Sequence, residues 1–137
     1  MFPTDIRILI VDDMSVMRRL VGSLLANMGF KTVVEAVDGG DAWVKFQKAE
    51  QEGAPFQLVI SDWNMPRMKG IDLLRRIRQN PTLGKMPFIL VTAENDAASV
   101  EEAAAAGVTC HLPKPFNEVN LRDSLVQAFE KTRAQAG

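Results

Sequence analysis

The chain has 137 residues, with 16 Lys+Arg against 17 Asp+Glu, so its length suits one domain and its net charge of −1 excludes bulk attraction to nucleic acid or an anionic membrane. At 47% hydrophobic and 24% charged it has the composition of a globular domain able to bury a core. Cys110 is the only cysteine, which excludes an internal disulfide and a cysteine-based zinc cage, and no apolar run is long enough to span a bilayer. In chain order, short apolar runs alternate with segments of helical spacing. Ile6-Arg7-Ile8-Leu9-Ile10-Val11 predicts the first strand. Val16, Met17, Leu20, Val21, Leu24, Leu25 and Met28 predict a helix that stops at Gly29. Residues 32–37 predict a weaker second strand, and Ala42, Trp43 and Phe46 a second helix. Phe56-Gln57-Leu58-Val59-Ile60 predicts the third strand, followed by a helix carrying Ile71, Leu74 and Ile77 that ends before Pro81. Residues 88–91 predict the fourth strand and residues 95–106 a helix with Gly107 just past its end. Residues 108–112 predict the fifth strand, and Asn117 caps a last helix with Val119, Leu121, Leu125, Val126 and Phe129 as its apolar contacts.

Strict alternation of strand and helix specifies an α/β domain, a doubly wound parallel sheet covered on both faces by five helices. The pattern alone does not order the strands. Residues 1–13 place acids directly after a short apolar run, unlike a signal peptide. The expectation is a cytosolic single domain with no attached effector, its core over about residues 6–131, and with fraying confined to residues 132–137.

Ligands of open α/β sheets bind at the carboxyl ends of the strands. Those ends carry Asp12-Asp13, Ser61-Asp62, Thr92 and, just beyond the fifth strand, Lys114-Pro115. One aspartate there is ordinary helix capping. Three carboxylates converging with a hydroxyl and an ammonium are not. Clustered carboxylates raise each other's pKa, and a hard cation such as Mg²⁺ relieves that penalty through oxygen ligands. One carboxylate can then act as a nucleophile toward a phosphoryl group whose oxygens the cation and a lysine neutralise.

Taken together, Asp12-Asp13, Ser61-Asp62-Trp63-Asn64-Met65-Pro66, Thr92-Ala93-Glu94 and Lys114-Pro115-Phe116 resemble the receiver domain of two-component response regulators. The stretch around Asp62, with Met17-Arg18-Arg19-Leu20, is most similar to the chemotaxis members of that family. The resemblance implies a flavodoxin-like sheet of strand order 2-1-3-4-5. It implies Asp62 as phosphoacceptor, with Asp13, the Asn64 backbone carbonyl and Asp62 at Mg²⁺ and Asp12 supporting through water. Thr92 and Lys114 are implied to contact the phosphoryl group, and the Lys114-Pro115 bond to be cis. The implied function is a phosphoacceptor switch rather than an enzyme. Its implied partners are a CheA-like histidine kinase, a flagellar motor switch protein or another protein target, and a phosphatase. Nucleic acid and membrane are not among them.

His111 departs from those chemotaxis relatives, where a tyrosine moves with the threonine; it is either a switching ring or a half-buried strand histidine. The fourth helix, fifth strand and fifth helix form the expected output face. There Ala97, Ser124 and Gln127 replace lysines, and Pro113 removes a backbone donor at the end of the strand. These changes raise a second reading, a stand-alone receiver acting as phosphate sink, relay carrier or regulator of a non-motor protein. Residues 39–56 span about one helical turn more than in those relatives. Trp63 is expected partly exposed, since loops after strands lie at the surface. Cys110 is expected buried and inert, the methionines at 14, 17 and 28 to pack the first helix, and Arg67, Lys69, Arg75, Arg76 and Arg78 to form a solvated face. Two other classes compete. A phosphohydrolase of haloacid-dehalogenase type needs Asp-x-Asp after its first strand, and a flavin carrier needs a Ser/Thr/Gly-rich loop there. Asp12-Asp13-Met14 suits neither.

Overall fold

The computed structural model describes residues 1–93 and 97–136. Five strands, β1 (Arg7–Val11), β2 (Thr32–Ala36), β3 (Leu58–Asp62), β4 (Phe88–Thr92) and β5 (Cys110–Pro113), alternate with five helices. The helices are α1 (Ser15–Asn27), α2 (Gly39–Gln51), α3 (Gly70–Gln79), α4 (Ala97–Ala106) and α5 (Glu118–Ala136). The strands form one parallel sheet in the order β2-β1-β3-β4-β5. Chain order reverses between β1 and β3, so the crevice at their carboxyl ends is the switch point where open α/β sheets take ligands.

Period-2 alternation divides each central strand between two core layers. Leu9 and Val11 of β1, Val59 of β3 and Phe88 and Leu90 of β4 pack under α2, α3 and α4, against Phe46, Ile71, Leu74, Ile77 and Ala103. Ile8 and Ile10, Leu58 and Ile60, and Ile89 and Val91 pack on the opposite face under α1 and α5, against Val21, Leu25, Leu121 and Leu125. Burying each large aliphatic side chain stabilises the fold by about 1.5–3 kcal/mol.

Helix ends follow local chemistry. The Asp38 carboxylate accepts from the Asp41 N–H at 2.8 Å to cap α2. Asn117 and Asn120 exchange side-chain-to-backbone bonds across the first turn of α5 at 3.0 and 2.9 Å. Gly29 and Gly107 close α1 and α4 in the left-handed region at φ 97° and 88°.

Several expectations change. Val16, Leu20 and Val119 are exposed, as is Met14, so the buried stripes of α1 and α5 are narrower than their apolar residues suggest. α5 continues in helix to Ala136 where fraying was expected, and the Thr132 hydroxyl donates to Ala128 O at 2.8 Å. The fifth strand starts at Cys110 and includes Pro113. Arg78 leaves the solvated face: its guanidinium donates to the carbonyls of Gly107, Gly84 and Met86 at 2.7–3.2 Å and fastens the ends of α3 and α4 to the start of β4. Arg76 lies over the Trp43 ring at 4.3 Å, and Arg67 pairs with Asp38 at 3.3 Å. Glu94 and Asn95, part of one motif and the start of the predicted fourth helix, lie outside the described residues.

Candidate functional site

The carboxyl edge of the sheet gathers the residues chosen from sequence. Asp12 and Asp13 follow β1, Asp62 ends β3, Thr92 ends β4 and Lys114 follows β5. Asp12, Asp13 and Asp62 each offer a carboxylate oxygen, and these atoms lie within 4.8 Å of one another. Asp12 and Asp62 are buried, whereas Asp13 is exposed. The Lys114 ammonium pairs with Asp62 Oδ1 at 2.8 Å. Thr92 is buried beside them, and Asn64 is exposed two residues beyond Asp62.

Three features hold this arrangement. Asp12 is fixed along its whole length: its N–H donates to Ala36 O at 3.1 Å, its Oδ1 accepts from the Met14 N–H at 2.8 Å, and its carbonyl accepts from Arg18 at 2.7 Å. Gly70 permits the close return of the β3–α3 loop, since a Cβ there would fall 2.1 Å from Asp62 O. Lys114 is placed by the break in β5. Thr109 N–H donates to Phe88 O, and a two-residue period would assign Thr92 O to residue 113. Pro113 has no N–H, and the Lys114 N–H donates to Thr92 O at 2.9 Å instead. The missing donor thus moves the ladder one residue on, to the lysine. The Lys114-Pro115 bond is cis.

Burial pushes the Asp12 carboxyl up to about 6, and the charges of Asp62 and Asp13 add to the effect against the Met14 N–H and Lys114. The donor set is all oxygen and strained by its own charge, which fits a hard divalent cation and does not fit a flavin phosphate.

Trp63 corrects its expectation. It is 6% exposed and packs in the core under α2 and α3, because the Gly70 N–H donates to Trp63 O and folds the loop inward. Ser124 is also buried rather than on an outer face; its hydroxyl donates to His111 O at 3.3 Å. His111 is half-buried, and its Nε2 has no hydrogen-bond partner among the described residues. Desolvation, and then the nearby Lys131, lowers its pKa. Burial pushes the Cys110 thiol to about 11. From sequence Arg18 enters only as part of the resemblance, with no role at the site, and Gly70 does not enter at all. Gly eight residues after the acid is a weak signal, and Arg18 acts on a main-chain carbonyl that no side-chain pattern reveals.

Residues 8–126 match the family described as response regulator receiver domain. The chain belongs to that family. This receiver is 42% identical over 127 residues to the chemotaxis protein CheY-3 of Vibrio cholerae, covering 93% of this chain and 94% of that protein. It is 41% identical over 125 residues to the chemotaxis protein CheY of Pseudomonas aeruginosa, covering 91% of this chain and 97% of that one. Among solved structures, the receiver superposes on the chemotaxis response regulator CheY4 of Vibrio cholerae with TM-score 0.81 at 33% identity, over 90% of this chain and 98% of that one. Receivers are phosphoacceptor switches that hold Mg²⁺ at an acidic pocket, and the phosphohydrolase and flavin-carrier readings give way to that class. No helix among the described residues is long and apolar enough to cross a membrane.

Proposed function

We propose that this receiver is a cytoplasmic switch in which a histidine kinase of the CheA type phosphorylates Asp62. The observation that carries the reading is the buried Asp62 carboxylate, paired to Lys114 at 2.8 Å inside a cluster of three acids. An Asp62 oxygen attacks the phosphorus of a phosphohistidine, the P–N bond breaks, a P–O bond forms, and the imidazole leaves with the electron pair. Asp12, Asp13, Asp62 and the Asn64 carbonyl would hold Mg²⁺. Bound there, it supplies positive charge to the phosphoryl oxygens. Lys114, released from its ion pair, supplies a second cation, and the Thr92 hydroxyl donates one hydrogen bond. Recruiting Thr92 shifts a population between two arrangements of the β4–α4 and β5 region, which His111 reports at the surface.

The output is most consistent with binding a flagellar motor switch protein, as the 41–42% identity to chemotaxis proteins suggests. A second reading is a phosphate sink, relay carrier or regulator of another protein. It is favoured by the exposed Ala97, Val100 and Gln127, which present no cation to an acidic partner helix. One pull-down tests both. Wild type in beryllofluoride and Mg²⁺, compared with Asp62→Asn, is expected to retain a motor switch protein selectively. A different phosphorylation-dependent partner would replace the motor reading, and identical captures would overturn the switch.

A further inference from the structure

The Met17-Arg18-Arg19-Leu20 stretch contributed to the resemblance, yet the phosphorylation chemistry assigns Arg18 no task. Its side chain is only 15% exposed. Arg18 projects from α1 back toward the end of β1, where one terminal nitrogen donates to the Asp12 carbonyl at 2.7 Å. Its Nε donates to Glu35 Oε1 on β2 at 3.0 Å. The guanidinium therefore ties a helix, the first acid and the neighbouring strand together. The tie continues: Lys45 donates to Glu35 O at 2.6 Å and to the Asp41 carboxylate at 3.0 Å.

We propose that Arg18, oriented by Glu35, is a positioning residue that sets the divalent-cation affinity of the Asp12–Asp13–Asp62 cluster. The proposal rests on reading that cluster as the cation site. Two effects of Arg18 oppose each other. Its positive charge repels an incoming cation, but the Glu35 carboxylate 3.0 Å away cancels most of that field at a distance, and ordinary salt screens the remainder. Its hydrogen bond is to a carbonyl, so it consumes none of the carboxylate oxygens a cation needs. What remains is geometric. With its N–H held by Ala36 O and its carbonyl held by Arg18, the Asp12 main chain stays in the position from which Oδ1 accepts the Met14 N–H, and that bond keeps the carboxylate beside two acids that repel it. Residues that orient metal ligands from behind typically carry 10–100-fold of metal affinity.

The test is Mg²⁺ titration by calorimetry on the whole folded chain, with urea unfolding of each variant alongside. Arg18→Ala is expected to weaken Mg²⁺ about tenfold or more. Glu35→Ala, at a half-exposed position that keeps the fold safe, weakens it several-fold by freeing the guanidinium. Arg18→Lys, which still reaches the Asp12 carbonyl, recovers much of the loss. Val21→Ala, a core truncation on the same helix away from the acids, lowers the urea midpoint and leaves Mg²⁺ affinity unchanged. Unchanged or tighter Mg²⁺ binding in both Glu35→Ala and folded Arg18 variants would overturn the proposal. Absence of Mg²⁺ binding by wild type would instead overturn the cation-site reading beneath it.

Discussion

Two side chains of β5, Cys110 buried and His111 half-buried, differ in what they do with a proton. The Cys110 thiol donates to Ser124 O at 3.3 Å and is pushed by burial to about 11. Thiolate is the reactive form, so the folded protein should resist a disulfide exchange reagent at pH 8, with one equivalent reacting only as urea unfolds the chain. Fast labelling of the native protein would show the β5–α5 seam to be open. His111 carries a different consequence. Burial lowers its pKa below the ordinary 6.5. Below pH 6.5 the unfolded chain takes up a proton that the folded chain still refuses. Stability contributed by a neutral His111 is thus full above that pH and is lost as the pH falls beneath it. The urea midpoint of wild type should fall more between pH 7.5 and 5.5 than that of His111→Gln. Parallel profiles would place the imidazole in solvent.

Elements place these residues, and here sequence and structure agree unevenly. The strands were legible because five β-branched runs are short and bounded by turn signals. The acids were legible because strand ends are where such sheets bind ligands. Trp63 was misjudged because its burial depends on a loop reversal made possible eight residues from Asp62. Arg78 was misjudged because its partners are carbonyls at the ends of α4 and the start of β4, sites fixed only once α3 and α4 pack. Gly70 shows the cost of such a reversal. A methyl group there would meet Asp62 O at 2.1 Å, closer than atoms approach, so the β3–α3 loop must move. Gly70→Ala is expected to destabilise the domain by about 1–3 kcal/mol, read from the urea midpoint at unchanged slope. It should also weaken Mg²⁺ binding, since the displaced atom belongs to the peptide unit of Asp62, one of the three clustered acids. A variant with wild-type stability and Mg²⁺ affinity would mean that the loop yields without disturbing Asp62.

At the scale of the whole molecule, the sheet does two jobs that conflict. Its core layers hold β1 and β3 side by side, and that registry forces like charges together at one edge. Val11 pairs with Ser61, so Asp12 and Asp62 leave adjacent strands at the same level. Folding therefore works against repulsion among Asp12, Asp13 and Asp62, only partly offset by Lys114. Functional sites commonly retain such a penalty because removing it removes the function. Asp13 is the acid on which to measure it, being exposed and free of Asp62's tie to Lys114. Without metal, Asp13→Asn should be more stable than wild type by about 1 kcal/mol. With Mg²⁺ at 100 times its dissociation constant, wild type should gain about 2.7 kcal/mol and overtake the variant, which lacks the Asp13 carboxylate. The crossing of the two stabilities as Mg²⁺ is added is the signature. Two curves that coincide at every Mg²⁺ concentration would mean that Asp13 neither repels its neighbours nor binds the cation, and the acidic edge would then owe its arrangement to the fold alone.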